Sequence, residues 1–296
     1  MRVGLVGLGR MGTALVPHLV RGSASVVAWN RSAARCTEAA AAGARVVPSL
    51  AALVDASDVV LSILFDDDAV EQVYLGNDGL LAQECAGRLF VEMSTIRPDT
   101  IHRVGKAARD RGASLVDAPV SGSVGPAREG KLLVLAGGSA ADVERIRPVL
   151  SLFSRRIVHM GPAGSGTAMK LALQLPIYVY WQALAEALSI GVRSGLDMGE
   201  MLALIADSPA ALAMLGSKIP VILQEDDAVA FALSAARKDL TAIAATAQAL
   251  GVPVPAASAA LDSYETAAGA GWGERDVARL VAFLVERART SAAEPS

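Results

Sequence analysis

Aromatic residues are scarce in this chain, with five Phe, four Tyr and three Trp among 296 residues. No block of Lys and Arg with interleaved rings stands out, and the formal net charge is -3, so nucleic acid is not an expected partner. Cysteine is scarcer still. Cys36 and Cys85 have neither metal nor redox spacing and read as free thiols in a reducing compartment. Histidine is also rare, at three residues, and no His-rich ligand spacing occurs, so no metal site is expected. The acidic run Asp66-Asp67-Asp68 reads as a solvated helix start, where the helix dipole already favours carboxylates. No secretory leader is evident, because the first apolar residues run straight into a glycine motif. The most apolar stretch, 169–192, is interrupted by Lys170, Gln174, Gln182 and Glu186, so it reads as a buried helix rather than a membrane span. The expected location is the cytoplasm.

What the chain does have is concentrated at its start. Val3-Gly4-Leu5-Val6 is a short apolar strand, and Gly7-Leu8-Gly9-Arg10-Met11-Gly12 follows it at once. Gly7 permits a tight turn, Gly9 lets a pyrophosphate approach the backbone, and Gly12 lets the next helix pack against the strand. An amphipathic segment with Ala14, Leu15 and Leu19 follows, then a second strand near Val26-Val27-Ala28-Trp29. This is the context of a dinucleotide site, with phosphates at the helix N-terminus. An NAD-specific fold places Asp or Glu at the end of the second strand, to bond the ribose 2′-hydroxyl. This chain has Asn30-Arg31-Ser32 there. Arg31 can clamp a 2′-phosphate, with Asn30 and Ser32 as neutral donors, so the expected cofactor is NADPH.

Short apolar strands alternate with helical stretches through the first half, which predicts parallel β-α-β units. The expected strands are 3–6, 26–29, 45–47, 59–64, 89–92, 114–117, 132–136 and 157–159. Among the helices between them are 33–42, 67–75 and 98–111, the last opening on Pro98. After Gly161-Pro162-Ala163-Gly164-Ser165-Gly166 the pattern becomes helical, with breakers recurring at Gly195, Pro209 and Gly251 among others. The expected architecture is α/β: a Rossmann-type dinucleotide-binding domain at 1–162, an all-helical domain at 163–290 and a disordered tail at 291–296. Pro176 is expected to kink or break the first long helix of the second domain.

Four further segments carry a family resemblance. Asp117-Ala118-Pro119-Val120-Ser121-Gly122-Ser123 resembles the Asp-Ala-Pro-Val-Ser-Gly-Gly substrate motif of the β-hydroxyacid dehydrogenases. Glu92-Met93-Ser94-Thr95-Ile96-Arg97-Pro98 resembles their acidic-x-Ser-Thr-Ile-x-Pro segment. Gly164-Ser165-Gly166 with Lys170 resembles their interdomain helix, and Lys238-Asp239 their late Lys-Asp pair. The resemblance runs from about residue 2 to about residue 285. It implies that Lys170 is the general acid that protonates the carbonyl oxygen as hydride arrives, a task that suits a partly buried ammonium. It implies that Ser121, Gly122 and Ser123 hold the substrate's acid group. Thr95 would contact the nicotinamide ribose, the Leu64-Phe65 turn would pass close to the cofactor, and Lys238 would reach the cofactor or substrate unless it only pairs with Asp239. The nicotinamide would lie in the cleft between domains, facing Lys170. Relatives pair through their helical domains, so a homodimer is implied.

The departures bear on substrate choice. The family pattern is taken as Lys-x-x-Asn, whereas this chain reads Lys170-Leu171-Ala172-Leu173-Gln174, and Leu173 cannot hydrogen-bond. Ser123 replaces a glycine, and Phe65 stands where the family often carries proline. Tyr178, Tyr180 and Trp181 gather in one helix segment, as core or as pocket lining. The leading expectation is an NADPH-dependent reductase of a small aldehyde or keto acid, similar to the glyoxylate and succinic semialdehyde reductase branch. The runner-up is an imine reductase, a related family with a similar NADPH loop that usually lacks the lysine. A non-catalytic NADPH-binding protein is the third possibility, and Lys170 speaks against it.

Overall fold

A computed structural model describes residues 1–290; the tail expected at 291–296 lies outside the described residues. Contacts divide the chain into two compact units, Met1–Leu171 and Ala172 onward, and the division falls inside a helix.

The first unit is a single sheet of β1 (Arg2–Val6), β2 (Ser25–Trp29), β3 (Arg45–Val46), β4 (Val59–Ser62), β5 (Leu89–Glu92), β6 (Ser114–Asp117), β7 (Val120–Ser121), β8 (Leu132–Gly137) and β9 (Ser154–Gly161). Its order is β3-β2-β1-β4-β5-β6-β8-β7, with β9 also paired to β8. The β3 to β6 part is parallel throughout, while β8 runs antiparallel to β6 and β7. This is Rossmann order, and it follows from the strands' composition. β4 and β5 are buried at every position, which requires cover on both faces. One face packs α1 (Arg10–Gly22), α2 (Cys36–Ala41), α6 (Val124–Arg128) and α7 (Ala140–Leu150) through residues such as Leu15, Ala39, Ala127 and Ile146. The other packs α3 (Leu50–Asp55), α4 (Asp67–Leu75) and α5 (Pro98–Asp110) through Leu53, Val70 and Ile101. The sheet order reverses between β1 and β4, and the carboxyl edge at such a point is where α/β sheets bind ligands.

Several expected boundaries shift. β4 stops at Ser62 instead of Leu64, because the Leu64 amide leaves the ladder for the Ser94 hydroxyl. The segment expected as one helix from Ala33 opens with a 3-10 turn, Ala33–Arg35, before α2. β9 is longer than 157–159, and the two-residue β7 was not anticipated.

The helix that crosses the division is α8 (Ser165–Arg193). Of the kink or break expected at Pro176, the break does not occur: α8 runs through it as one helix. An interior proline costs about 3 kcal/mol. Tyr178, Trp181 and Leu184, just beyond it, are buried, and each contributes on the order of 2 kcal/mol, enough to offset that cost. The rest of the second unit is α9 (Met198–Ala206), α10 (Leu215–Ile222), α11 (Leu233–Ala249), α12 (Pro255–Ala267) and α13 (Arg279–Thr290). Its described residues are helical apart from loops and one bridge, Ala232 to Asp276. No helix among the described residues is long and apolar enough to cross a membrane.

Candidate active site

The glycine turn between β1 and α1 has the geometry its sequence predicts. Gly7 sits at φ +94°, and a Cβ there would collide with the Ile63 carbonyl. A Cβ on Gly12 would collide with the Gly7 carbonyl, so this glycine is needed for packing. Gly9 faces open space, with nothing nearer to a Cβ than Arg35 Nη1 at 3.9 Å. Gly9 caps α1 without a side chain, and no acid stands in the first turn, which leaves the positive end of the helix open to a phosphate. The residues fit a bound dinucleotide in these respects. Arg10 is exposed and Met11 half-buried against the core.

Leu8 and Asn30 build this turn. The Leu8 side chain is in the core, and its amide donates to Asn30 Oδ1 at 3.0 Å. Asn30 Nδ2 donates to the Ser32 carbonyl at 2.9 Å. The amide of Asn30 is thus engaged in holding the loop after β2, which qualifies its expected part as a phosphate donor. Arg31 and Ser32 are exposed, and no carboxylate follows β2 at this edge. Arg35, four residues beyond Arg31 at the end of the 3-10 turn, leans toward Gly9.

The loops after β4 and β5 are joined by a buried acid. Glu92 Oε1 accepts from the Ser94 amide at 2.7 Å, and Oε2 bonds the Ser62 hydroxyl, which in turn meets Tyr74 Oη at 2.6 Å. The Ser94 hydroxyl accepts from the Leu64 amide at 2.7 Å. Burial pushes the Glu92 carboxyl up to about 7, against hydrogen bonds from Ser62 and Ser94 that pull it down. Burial also holds the Tyr74 phenol well above its ordinary range. These bonds bring Leu64 beside the segment that carries Thr95. Phe65 is 55% exposed, and Thr95 is half-buried. The acidic run is less solvated than expected. Asp66 caps α4 by accepting from Ala69 N, and Asp67 accepts from Arg97 N at 3.0 Å, tying α4 to the start of α5. Only Asp68 is exposed. Among the described residues no group of three or more His, Cys, Asp or Glu is placed to hold a metal ion.

The segment after β6 carries the expected substrate residues. Ser121 lies in β7 opposite Leu133 of β8. Gly122 has φ +128°, and a Cβ there would press on Leu132. Ser123 stands at the N-cap of α6 without spending its hydroxyl on the cap. Lys170 occupies the second turn of α8 and is buried, at 6% exposure. Asp117, at the head of the segment, accepts from Gly164 N and Thr167 N, each at 2.7 Å, at the start of the same helix. Burial raises this carboxyl and the two amides lower it.

The second unit holds a cluster of its own. Lys238 Nζ pairs with Asp239 Oδ1 at 2.6 Å, but Asp239 is buried, so this is no surface salt bridge. Asp239 Oδ2 accepts from Tyr178 Oη at 2.5 Å and lies 3.4 Å from Gln174 Nε2. Tyr178 stacks on Phe231, and Trp181 is fully buried, so both are core residues. Leu173 is half-buried. Gln174 stands one full turn after Lys170 on α8, and its Nε2 donates to Tyr178 Oη at 2.7 Å. The motifs that contain Asp239, Asp117 and Glu92 do not disclose which backbone and side-chain groups these carboxylates bind. The usable signal for the last two was a carboxylate closing an otherwise apolar strand.

Comparison with known proteins accounts for nearly the whole chain. The NAD binding domain of 6-phosphogluconate dehydrogenase matches residues 2–161, and the NAD-binding segment of NADP-dependent 3-hydroxyisobutyrate dehydrogenase matches residues 164–284. Glyoxylate/succinic semialdehyde reductase 1 of Arabidopsis thaliana is 30% identical over 281 residues, covering 95% of this chain and 97% of that one. NAD-dependent L-serine dehydrogenase of Pseudomonas aeruginosa is 32% identical over 283 residues, 93% of this chain and 95% of that one. The solved structure of Mycobacterium tuberculosis 3-hydroxyisobutyrate dehydrogenase with L-serine superposes at TM-score 0.86 and 28% identity, over 96% of this chain and 98% of that one. An imine reductase of Myxococcus stipitatus in complex with NADP+ shares the fold at TM-score 0.65 and 23% identity, over 96% of this chain and 100% of that one.

Proposed function

The chain belongs to the β-hydroxyacid dehydrogenase family of NAD(P)-binding oxidoreductases, and from that membership we propose that it is an NADPH-dependent reductase of a small aldehyde or keto acid, working reversibly on the matching hydroxyacid. The observation that carries this reading is the placement of Lys170. It is a buried lysine on a helix whose first turn is bonded to the strand end that leads into Ser121–Ser123. The chemistry that a nicotinamide would supply when bound is hydride transfer to or from the substrate carbon. Ser121, Gly122 and Ser123 hold the substrate's carboxylate through hydroxyls and backbone N–H groups. Lys170 donates its proton to the carbonyl oxygen, which becomes the hydroxyl, and regains one from solvent. In the reverse direction it takes the hydroxyl proton. Leu173 and Gln174, on the turn of α8 that follows Lys170, are assigned to substrate contact, and Lys238 to contact with the cofactor or substrate.

The preference for NADPH rests on Arg31, Ser32 and Arg35 at an edge without a carboxylate. The helical segment 163–290 serves as substrate and dimerisation domain, with homodimers formed through its apolar helices. An enzyme that draws on NADPH and carries two free, buried cysteines suits the cytoplasm.

The test is NADPH oxidation by the purified protein against glyoxylate, succinic semialdehyde and cyclic imines, run beside Lys170→Ala. Turnover of the carbonyl acids, lost in Lys170→Ala with NADPH binding retained, is the expected result. Turnover of imines alone, or a fully active Lys170→Ala, would overturn the reading.

A further inference from the structure

Asp117 heads the substrate segment, yet its carboxylate serves the helix of the lysine. The side chain is fully buried, and each of its oxygens accepts one amide from the start of α8: Oδ1 from Gly164 and Oδ2 from Thr167. These amides lie 47 and 50 residues away in sequence. A helix needs only a local Ser, Thr, Asp or Asn to cap it. Here the residue before α8 is Gly164, at φ +92°, which has no side chain to offer. The cap is instead delivered from β6, so the helix start is bonded to the sheet.

The surroundings are cut to admit this acid. A Cβ on Gly137 would collide with Asp117 Oδ1, and a Cβ on Gly166 would press on Oδ2 and collide with the Leu135 carbonyl. Glycine on both flanks leaves a slot the width of a carboxylate. Lys170 follows Thr167 by one turn of α8, and Ser121 follows Asp117 by four residues along the chain. One carboxylate therefore stands between the proton donor and the substrate loop.

We propose that Asp117 is a positioning residue for Lys170: its carboxylate locks the first turn of α8 to the end of β6 and so fixes the lysine in register with Ser121–Ser123. The proposal rests on the reading of Lys170 as general acid. The substrate segment then has two tasks. Its serines and glycine face the substrate, and its first residue aims the acid.

Two variants test it to different degrees. Asp117→Asn turns one acceptor into an NH2 group facing a backbone N–H. Asp117→Ser shortens the side chain and withdraws both carboxylate oxygens from the two amides without placing new atoms in the slot. It serves where Asp117→Asn proves too unstable to assay. Hydrogen exchange of the 164–170 amides needs no substrate and should quicken in both variants; unchanged exchange overturns the proposal. With glyoxylate or succinic semialdehyde, kcat should fall roughly a hundredfold, the loss expected when a catalytic group is misplaced by about 1 Å. The Kd for NADPH should stay the same, and the deuterium isotope effect from 4-deuterated NADPH should rise. A loosened helix start with wild-type kcat and isotope effect overturns the positioning role while leaving Lys170 in place. If Lys170→Ala turns over like the wild type, the general-acid reading itself fails, and this proposal with it.

Discussion

On the proposed NADPH reading, the choice between two nearly identical dinucleotides rests on single side chains at the end of β2. A carboxylate there would repel a 2′-phosphate, whereas Arg31 offers it a planar pair of donors. Charge-assisted bonds of this kind contribute about 1.5–3 kcal/mol. Arg31→Ala should therefore weaken NADPH by roughly tenfold to a hundredfold and leave NADH unchanged. Fluorescence titration with both cofactors checks it; equal losses for the two would remove Arg31 from 2′-phosphate recognition. At this scale the sequence was legible wherever a residue's task is set by its own geometry. The glycines of the turn are of this kind, since a Cβ at Gly7 or Gly12 meets backbone oxygen. The bond from the Leu8 amide to Asn30 was not legible, because it joins the turns after two different strands, a contact no local pattern announces.

Glu92 shows the same limit at the scale of elements. It closes β5 and binds Ser62 of β4 and Ser94 of the following loop, and through Ser62 it reaches Tyr74 of α4. Its carboxyl lies at about 7 in the folded protein against an ordinary 4.5. A raised carboxyl pKa means that the folded state holds the proton more tightly than the unfolded state. The stability from this group is full below about pH 4.5, is lost as pH rises to about 7, and is constant above that. The loss is on the order of 3 kcal/mol across that window. Glu92→Gln keeps the shape of the protonated acid but cannot ionise. Urea unfolding at pH 5, 6, 7 and 8 should show a falling wild-type stability and a flatter variant; identical slopes would mean that Glu92 does not titrate there. The strands themselves were readable from apolar runs bounded by turns, but their ends were not. Ile63 and Leu64 look like more of β4, and only the Ser94 hydroxyl, 30 residues on, turns Leu64 out of the ladder. Pro176 failed as a helix breaker for the complementary reason: the burial of Tyr178 and Trp181 lies outside what a local rule weighs.

For the whole molecule, alternating strands and helices implied a parallel sheet, and the glycine turn implied the Rossmann order that β3-β2-β1-β4-β5-β6 displays. The antiparallel β7–β8 extension had no such signal, because two residues are too few to show a period. The helical half was legible as helical, but not in what its helices leave uncovered. Ile190 near the end of α8 is 70% exposed, Leu204 on α9 is 73% exposed, and Leu196 between the two helices is 57% exposed. Under the proposed homodimer, side chains such as these are the ones a second copy would cover. Burying each against a partner is worth roughly 1.5–3 kcal/mol, so a small number of them decides whether a dimer holds. Light scattering on the eluted protein should give twice the 30.4 kDa chain mass. Ile190→Glu combined with Leu204→Glu should return the mass toward 30.4 kDa, since two buried carboxylates would face each copy's partner. NADPH affinity should survive, because the glycine turn and Arg31 belong to the first unit. A wild-type protein that elutes as a monomer at every concentration would refute the homodimer. A double variant that stays dimeric would move the interface to another face of the helical unit.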